Sequence, residues 1–483
     1  MASVRPNPKP EAGRPSRTVA VLDVGKTNVK LTAASRAGDL LETLTLANAP
    51  AKGPPYLHID AERIEAWLLD TLPALARRHD VGAIVATGHG SAGALVDENG
   101  LLLPMIDYEA EMPEAVTAAY VAAAGPFPPL GSPLMPKAAH MARQLLWFET
   151  AWPEAVARAR WYLGGPQYWA YRLSGGGASE LTYLAAQTHF WNFDEAGFSR
   201  IVRDRHWQHF IPPVTPAWQP VGRIRPELAA RHGLPDDIDV LCGIHDSSAN
   251  FYRYQQAGLR DLAVISTGTW IVGLSDGAAP AAGYAQGYVT RNLDVSGREL
   301  SGILAMGGRE FALIAGDAPD VPVAEATVAA LIASGTAALP SFVEQDGVFP
   351  GSAMRGRIAG PPPASPAERR ALALLYVALL TDVCLDRLGA EGTVVLDGSF
   401  ARDPLYPALV AALRPGCRVL FNTDAYGTAS GAALLADHPF RTELAPVATE
   451  PARAIAVPGL AAYRKDWRRQ AESNHPKPRD TQR

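Results

Sequence analysis

Six consecutive residues, Asp23-Val24-Gly25-Lys26-Thr27-Asn28, bring together a carboxylate, a glycine, a cation and a hydroxyl directly after an apolar stretch. The backbone N–H groups of a glycine turn can bind phosphate oxygens, and a carboxylate beside them can hold Mg²⁺ through water. A Walker A loop is excluded, because it needs glycine where Ala20 stands and a helix where strand-like sequence follows. A phosphate-binding turn and a plain hairpin turn with a solvated lysine both stay open.

Two later segments have the composition of nucleotide-binding turns. Ser266-Thr267-Gly268-Thr269-Trp270 lies between two apolar stretches, and its hydroxyl and N–H groups suit the terminal phosphates of a nucleotide. Asp397-Gly398-Ser399-Phe400 follows another apolar stretch, and its glycine would allow a flat ring such as a nucleobase to approach closely. Taken alone, the first segment can equally be a hairpin and the second a strand-to-helix turn.

A candidate general base lies in His245-Asp246-Ser247-Ser248, which stands between an apolar stretch and a helix-patterned one. An aspartate at a strand end that faces a cleft is well placed to accept the proton of a substrate hydroxyl. The competing role is that of a helix N-cap, which Ser247 or Ser248 can fill as well. The local pattern supports both roles equally.

The segment Gly88-His89-Gly90-Ser91-Ala92-Gly93 matches the G-x-G-x-x-G fingerprint of dinucleotide-binding domains. That fingerprint requires a helix that starts at the glycines, whereas the following residues indicate a β-hairpin around Asn99-Gly100. We therefore reject a dinucleotide site. His89 and Ser91 can line a polar small-molecule pocket or simply stand in a structural turn.

Two carboxylates follow that hairpin in Asp107-Tyr108-Glu109. An ionised carboxylate only accepts hydrogen bonds and can take two hydroxyl donors at once, which suits the hydroxyls of a sugar. The alternative is an acidic surface loop without a ligand. Further residues are needed to choose between the two.

The hydrophobic pattern predicts an α/β chain that would position these residues. Residues 18–47 indicate three short strands, residues 61–78 a helix and residues 82–88 a further strand. Apolar residues three and four apart predict helices across 137–149 and 153–163. At Asp239 a strand, loop and strand layout begins again, so we expect two halves with weak internal similarity.

The second half closes with further alternating elements. The patterns predict a long helix over 366–388, a strand over 393–400, a helix over 404–415, a strand over 417–421 and a small-residue helix over 429–436. Strands that alternate with helices favour parallel pairing within a sheet. We expect a cleft between the two halves.

Composition and charge limit the class of protein. Hydrophobic residues make up 48% of the 483 residues and charged residues 19%, as in a folded globular chain of two or three domains. The net charge of −5 gives no field for gripping nucleic acid or an anionic membrane. The three scattered cysteines are typical of a reducing cytoplasm and exclude a disulfide framework.

The two ends of the chain are basic and rich in polar residues. Residues 1–17 and the residues from about Lys465 onward are expected to be mobile, because neither could bury much apolar surface. No apolar segment of a signal peptide is found near Met1, and the longest apolar stretch, Ala371–Leu380, is too short for a membrane span. We expect a protein that is neither exported nor inserted in a membrane.

The order of the motifs resembles that of the FGGY carbohydrate kinases across residues 18–436. The matching segments, in chain order, are DVGKTN, GHGSAGALVD, YWAYRLSGGGASELTYLAAQTHFW, GIHDSSA, STGTW, LDGSF and GTASGAALLA. The pairing of GIHDSSA with STGTW is most similar to the rhamnulokinase and fuculokinase branch. At residues 107–111 the chain departs from many relatives, which place an Asp and an Arg there, so the resemblance does not specify the sugar.

The resemblance implies an α/β fold of two actin-like ATPase (ribonuclease H-like) domains with an interdomain cleft. The domains expected from it are a tail over 1–17, a sugar-binding domain over 18–238, an ATP-binding domain over 239–440 and a C-terminal extension over 441–483. It also implies ATP and Mg²⁺ as cofactors.

The resemblance further implies a role for individual residues. Asp246 matches the catalytic base, and Asp23 matches the acidic residue near Mg²⁺. The nucleotide-binding positions implied are Gly25, Lys26, Thr27, Asn28, Thr267, Gly268, Thr269, Gly308, Gly398 and Ser399. The sugar-facing positions implied are Gly88, His89, Asp107, Glu109, His245 and Ser247.

The activity implied is ATP-dependent phosphorylation of a ketose, either a 6-deoxyketohexose such as L-rhamnulose or L-fuculose or a pentulose. The alternatives are a polyol kinase acting on glycerol or a tetritol, and a non-catalytic sugar-sensing protein on the same fold. Expected partners are the sugar and ATP, with no nucleic acid and no membrane. A homodimer is left open, as are the sugar and the hydroxyl that is phosphorylated.

Overall fold

A computed structural model of the chain describes residues 17–278, 289–317, 320–424 and 426–473. The chain forms two compact units. The first unit contains the residues up to Gly258 together with Arg291–Glu299 and Tyr426–Val447, and the second contains Leu259–Thr290, Leu300–Ala425 and Ala448–Arg483. Of the N-terminal tail predicted over 1–17, residues 1–16 lie outside the described residues. Arg17 itself pairs with the carboxylates of Asp80 and Asp237 at 3.0 and 2.8 Å.

The first unit is built mainly from elements that precede residue 258. Its strands are β1 (Thr18–Val24), β2 (Asn28–Ala34), β3 (Leu40–Ala47), β4 (Val81–Gly88), β5 (Gly93–Asp97), β6 (Gly100–Leu101), β7 (Trp161–Gly164), β8 (Trp191–Asn192), β9 (Gly197–Phe198), β10 (Pro220–Arg223), β11 (Asp239–Leu241) and β12 (Ile244–His245). Its helices are α1 (Ala61–His79), α2 (Glu114–Ala124), α3 (Met141–Ala151), α4 (Pro153–Arg158), α5 (Gly165–Ser174), α6 (Leu181–Leu184), α7 (Arg200–Asp204), α8 (Pro226–His232) and α9 (Asp246–Gln256).

The later elements belong mainly to the second unit. The strands are β13 (Leu262–Thr267), β14 (Ile271–Ser275), β15 (Val289–Leu293), β16 (Glu299–Ala305), β17 (Ala337–Leu339), β18 (Arg357–Ala359), β19 (Thr393–Gly398), β20 (Arg418–Phe421) and β21 (Glu450–Pro451). The helices are α10 (Gly307–Ala315), α11 (Glu325–Ser334), α12 (Pro366–Arg387), α13 (Leu405–Leu413), α14 (Gly427–Ala433) and α15 (Leu460–Ser473), of which α14 lies in the first unit.

The central sheet of the first unit has the strand order β10-β11-β4-β1-β2-β3. β1 pairs with β2 as an antiparallel hairpin and with β4 in parallel, and the apolar side chains of these strands are buried. A strand that is buried on both faces requires a nearly continuous apolar sequence, which β1 and β4 have. The hairpin and the parallel strand therefore place the end of β1 at the same sheet edge as the end of β4.

The second unit repeats this arrangement in its own sheet, with the strand order β15-β16-β14-β13-β19-β20-β21. β13 pairs with β14 as an antiparallel hairpin and with β19 in parallel, and β16 extends the sheet beyond β14. β13, β14, β16, β19 and β20 thus correspond to β1, β2, β3, β4 and β11. The two sheets are thus similar in strand order, but the repeat does not start at Asp239 as predicted, because Asp239 opens β11 of the first sheet and the second hairpin starts with β13.

One helix predicted in the first unit is wrong in part. α4 ends at Arg158, and Trp161–Gly164 forms β7, which pairs antiparallel with β5. The apolar run WYL satisfies a helical spacing and a short strand equally well, so tertiary pairing decided the matter. The predicted hairpin around Asn99-Gly100 is confirmed by the pairing of β5 with β6.

The long helix α12 forms the core of the second unit and is buried along almost its whole length. Its N-terminus is capped by Ser365, whose hydroxyl accepts a hydrogen bond from the backbone of Glu368. The helix contains Asp382, which is completely buried and pairs with arginines of α15. Over the part of the chain described here, no helix has the length and apolarity needed to cross a membrane.

The prediction of a mobile tail from about Lys465 is wrong for the residues up to Ser473, which form the end of α15. Tyr463, Trp467 and Ala471 are four residues apart and all buried, so the helix packs one apolar face on the second unit. The Nε1 group of Trp467 donates to the carbonyl of Ala338 at 2.6 Å. Basic composition hid this face in the sequence. Residues 474–483 lie outside the described residues.

Candidate active site

The turn between β1 and β2 is held by backbone and by Asn48. The N–H of Gly25 donates to the carbonyl of Asn28 at 3.0 Å, and Asn48 Nδ2 donates to the carbonyl of Gly25 at 2.7 Å. A Cβ at position 25 would lie 2.9 Å from the Asn28 oxygen, which explains the glycine. The predicted hairpin turn is therefore confirmed, and Thr27 and Asn28 are exposed at its tip. The sequence pattern did not indicate Asn48, whose side chain holds this turn.

The side chain of Lys26 reaches from this turn to the acidic segment that follows β6. Its Nζ lies 2.5 Å from Oδ1 of Asp107, 3.2 Å from Oε2 of Glu109 and 4.6 Å from the ring centre of Tyr108. The Asp107 side chain is 3% exposed, whereas that of Glu109 is 41% exposed. We refer to Lys26, Asp107, Tyr108 and Glu109 as the lysine cluster.

Asp246 is the first residue of α9, at the end of the short strand β12. Its Oδ1 accepts hydrogen bonds from the backbone N–H of Ser247 at 2.6 Å and from the Ser247 hydroxyl at 3.2 Å. The N-terminus of a helix carries partial positive charge, so it stabilises the carboxylate in its ionised form. The strand end and the helix start together fix this side chain.

His245 holds the same carboxylate from the other side. Its Nε2 lies 3.2 Å from Oδ1 of Asp246, and its Nδ1 lies 3.1 Å from the hydroxyl of Ser248. Burial lowers the pKa of His245, while the Asp246 charge opposes this shift. Because the carboxylate can only accept, the neutral ring carries its proton on Nε2 and accepts from Ser248 at Nδ1.

Asp23, the second-to-last residue of β1, lies in the same environment as Asp246. Burial and the negative charge of Asp246 raise the pKa of Asp23 to about 7, and Lys30 opposes both effects. β4 pairs with β1 at Asp23 and with β12 at His245, so Asp23 and the start of α9 lie at the same edge of the sheet. A pair of acids whose charges repel is a common arrangement where a cation binds.

The turn after β4 brings His89 into the same group. Burial lowers the pKa of His89, and the charges of Asp246 and Asp107 counteract part of this effect. Its ring stands edge-on to Tyr108 with centres 5.1 Å apart. In the part of the chain that the structure describes, Nδ1 of His89 is buried without a hydrogen-bond partner. A ligand hydroxyl would supply the missing partner.

The glycines beside His89 allow close packing of this turn. A Cβ on Gly88 would lie 3.2 Å from the carbonyl of Val24, and one on Gly90 would lie 2.8 Å from the carbonyl of Ala186 and 3.4 Å from the His245 ring. β5, and not a helix, follows these glycines, as the sequence predicted.

Three functional residues missed by sequence reasoning connect these turns. The carboxylate of Glu180 accepts from the Thr182 hydroxyl at 2.6 Å, and that hydroxyl oxygen accepts from the N–H of His245 at 3.3 Å. The hydroxyl of Tyr183 bonds to the carbonyls of His89 at 2.9 Å and Ala92 at 2.8 Å. Residues 180–183 therefore hold the turn after β4 and the start of α9 together. The only sequence signal was their place inside one of the family-like segments.

The turn between β13 and β14 in the second unit is surrounded by glycines. The N–H of Gly268 donates to the carbonyl of Trp270 at 2.9 Å, and both Gly268 and Thr269 are exposed. A Cβ on Gly308 would lie 1.9 Å from the Gly268 oxygen, so only glycine lets the start of α10 approach the turn. Gly398, with φ of +91°, packs against Thr267 in the same way. Free N–H groups of a helix start beside a glycine turn suit an anion.

Two residues predicted to bind nucleotide directly have other partners in the second unit. The hydroxyl of Thr267 donates to the carbonyl of Asp397 at 2.7 Å and accepts from the N–H of Phe400 at 3.1 Å. The N–H of Ser399 donates to the carbonyl of Thr267 at 2.8 Å, and its hydroxyl lies 3.3 Å from the same oxygen. Both side chains fasten β13 to the turn after β19.

The predicted site residues therefore form one group in each unit. The first-unit group contains Asp23, Gly25, Lys26, Thr27, Asn28, Gly88, His89, Asp107, Glu109, His245, Asp246 and Ser247, and the second-unit group contains Thr267, Gly268, Thr269, Gly308, Gly398 and Ser399. Acidic and imidazole side chains dominate the first group, and glycines and hydroxyls dominate the second.

A sheet of this strand order that occurs twice in one chain, each time with a turn at the end of its central hairpin, defines an α/β protein of the actin-like ATPase type. A sequence model of the N-terminal domain of the FGGY family of carbohydrate kinases matches residues 18–251. A model described as carbohydrate kinase FGGY, C-terminal domain, matches residues 260–444. The chain belongs to the FGGY family of carbohydrate kinases.

Individual relatives support this assignment. The crystal structure of a carbohydrate kinase from Novosphingobium aromaticivorans is 30% identical, with a TM-score of 0.82 over 95% of this chain and 99% of that chain. A xylulose kinase from Rhodospirillum rubrum has a TM-score of 0.74 at 19% identity over 95% of this chain and 98% of that chain, and so shares the fold. L-fuculokinase from Salmonella typhi is 25% identical over 270 residues, which are 52% of this chain and 55% of that protein. The match therefore spans about half the length of this curated relative.

Proposed function

We propose that this protein transfers the γ-phosphoryl group of ATP to a hydroxyl of a ketose, either a 6-deoxyketohexose such as L-rhamnulose or L-fuculose or a pentulose. The observation that carries the proposal is the position of Asp246, a carboxylate fixed at a helix start between Ser247 and His245. Similarity to L-fuculokinase over about half of that protein's length supports the 6-deoxyketohexose. The sugar belongs to the first unit and the nucleotide to the second.

In this proposal Asp246 is the general base. Within the described residues, its Oδ1 accepts hydrogen bonds from Ser247 and lies 3.2 Å from Nε2 of His245, so we assign Oδ2 to receive the proton of the sugar hydroxyl. Phosphoryl transfer passes through a loose transition state, so the proton moves late and positioning matters more than base strength. His245 and the start of α9 then stabilise the carboxylate between turnovers.

The first-unit group also fits Mg²⁺, which would be held through water by Asp23. Among the described residues no cluster of three or more His, Cys, Asp or Glu side chains could hold a metal by itself. Mg²⁺ is commonly bound by one or two carboxylates plus the phosphates of a nucleotide. The raised pKa of Asp23 reflects a negative charge that is costly to bury beside Asp246, and a cation would relieve that cost. When bound, the ion would neutralise charge on the phosphates.

In the second unit the nucleotide phosphates would bind to backbone rather than to side chains. Gly268 is open, and the start of α10 lies against it at Gly308. Gly398 and Ser399 stand beside the same turn, where the adenosine would lie. Because the hydroxyl of Thr267 is already bonded to Asp397 and Phe400, we assign it to holding the turn together.

Further parts of the proposal concern the surroundings of the enzyme. We propose a cytoplasmic protein that works without nucleic acid or membrane, in keeping with its net charge of −5.

A second candidate, a non-catalytic sugar sensor, would have no need for Asp246 at a helix start.

The test is a coupled ADP-release assay with Mg-ATP and a panel of ketoses, polyols and aldoses. Turnover on L-fuculose, L-rhamnulose or a pentulose, with little on the other classes, supports the proposal. Turnover only on glycerol or a tetritol would replace it by a polyol kinase. Sugar binding without turnover would favour the sensor.

The variant Asp246→Asn tests the base directly. It removes the proton acceptor and keeps the shape, so we expect kcat to fall by about three orders of magnitude, in the middle of the range that general base catalysis contributes. The matched control is Asp97→Asn, an aspartate at the end of β5 whose carboxylate accepts only from the backbone of Asn99. Undiminished turnover in Asp246→Asn would show that another group accepts the proton.

A further inference from the structure

Lys26, the cation of the turn between β1 and β2, lies among carboxylates in the lysine cluster. Nζ of Lys26 is 2.5 Å from Oδ1 of Asp107, and that oxygen also accepts the N–H of Glu109 at 2.9 Å. The buried carboxylate of Asp107 needs this cation, because an uncompensated charge in the interior is strongly destabilising. Lys26 is therefore committed to the same unit as the sugar-side residues.

We infer that Lys26 is a sugar-recognition residue rather than a phosphate ligand, and that the lysine cluster selects uncharged polyhydroxy substrates over sugar acids. This inference rests on the proposed sugar kinase function and narrows its substrate class. It also reassigns Lys26 from the nucleotide-binding set in which the family resemblance placed it.

Hydrogen-bonding capacity supports the first part. An ammonium has three donors, of which Lys26 directs one to Asp107 in a hydrogen bond, while Glu109 lies 3.2 Å away as an ion pair. Glu109 is 41% exposed and only accepts, while His89 presents a buried Nδ1 without a partner. Donors and acceptors thus alternate across a short distance. Neighbouring hydroxyls of a sugar, each able to donate and accept, complement such a pattern.

The charges support the second part. Carboxylates outnumber cations in the first-unit group, where Asp107, Glu109 and Asp246 stand against Lys26, while Lys30 offsets Asp23. The carboxylate of an aldonic acid would enter a region that is already negative, and like charges at short range disfavour binding. Tyr108, packed under Nζ of Lys26, adds an apolar face against which a sugar ring or chain can lie.

The first experiment measures ketose use and nucleotide binding separately. It compares the wild-type protein with Lys26→Met and with the charge-conserving variant Lys26→Arg. We expect KM for the ketose to rise at least tenfold in Lys26→Met and to be partly restored in Lys26→Arg. The Kd of a non-hydrolysable ATP analogue, measured by calorimetry, should change by less than threefold. A tenfold weaker Kd for the analogue with an unchanged ketose KM would overturn the inference.

The second experiment tests charge selection with a ketose and the aldonate of the same chain length. We expect wild-type kcat/KM for the ketose to exceed that for the aldonate at least a hundredfold. Glu109→Gln, which changes a half-exposed side chain and should fold normally, is expected to reduce this ratio about tenfold. Equal use of both substrates by the wild-type protein would overturn the inference.

Failure of the proposed function has a separate signature. If the wild-type protein turns over none of the ketoses, calorimetric titration with the ketose and the aldonate decides the inference without catalysis. Ketose binding that Lys26→Met abolishes supports the inference alone. Binding of the aldonate with equal or higher affinity contradicts it.

Discussion

The turn at Gly25 and the turn at Gly268 occupy equivalent positions in two sheets of the same strand order, yet they are built differently. At Gly25 the charged side chain of Lys26 is engaged with Asp107 and Glu109. At Gly268 the surroundings are two further glycines, Gly308 and Gly398. The first turn thus presents a charged side chain that is paired with carboxylates, whereas the second turn presents mainly backbone groups. Side chains distinguish hydroxyl patterns, whereas backbone N–H groups bind any phosphate.

The largest effect is expected from closing the second turn with Gly308→Ala. The added Cβ would lie 1.9 Å from the carbonyl oxygen of Gly268, so either the turn or the start of α10 must move. We expect the Kd for the ATP analogue to rise at least a hundredfold, a cost of about 3 kcal/mol. Gly416→Ala, where no atom lies within 4 Å of the new Cβ, is the matched control. Unchanged nucleotide affinity in Gly308→Ala would remove this turn from the nucleotide site.

The next largest effect is expected from acid, which should destabilise the first unit more than the second. Ten of the eleven histidines lie in the first unit, and the eleventh is His475. His140 and His189 stack with ring centres 3.7 Å apart. His140 accepts from the N–H of Met135, and His189 bonds to the Tyr120 hydroxyl and to Ser132, so both rings are satisfied as neutral. Burial lowers the pKa of His189 to about 3 and that of His140 well below its usual value. Nearby Arg143 disfavours protonation further.

The sign of the effect follows from these depressed pKa values. Below about pH 6.5 the unfolded chain binds protons that the folded first unit does not, so stability is lost as the pH falls toward 3. We expect a loss of about 1.4 kcal/mol per pH unit for each of the two imidazoles. Thermal unfolding between pH 7.5 and 4.5 should show the first unit melting earlier in acid. In His189→Gln this dependence should fall by the share of one imidazole, about 1.4 kcal/mol per pH unit, and an unchanged dependence would contradict the assignment.

The smallest effect concerns one threonine beside each turn. Thr267→Val removes a buried hydroxyl that bonds Asp397 and Phe400, and should lower the free energy of unfolding by about 1–2 kcal/mol. Thr27→Val changes an exposed hydroxyl at the tip of the first turn and should leave that free energy within about 0.5 kcal/mol of the wild type. Denaturant unfolding of the two variants checks this difference. Equal losses would mean that the two turns are held in the same way.

Much of the fold could be predicted, because the strands of both sheets are short apolar runs between glycine turns. The predictions for two segments were wrong because the sequence pattern of each segment is ambiguous. WYL at the end of the predicted helix over 153–163 became β7 because β5 offered an unpaired edge. α15 was overlooked because basic residues between Tyr463 and Ala471 masked a buried face.

The sequence by itself determined the turns, their glycines and the candidate base, since backbone conformation and local charge depend on neighbouring residues. Only the tertiary structure decided that Lys26 pairs with Asp107, that Thr182 supports His245, and that the hydroxyl of Thr267 is used internally. These contacts join residues that are 63 to 130 positions apart. Such distant pairs follow from how strands and helices pack, and no local pattern in the chain encodes them.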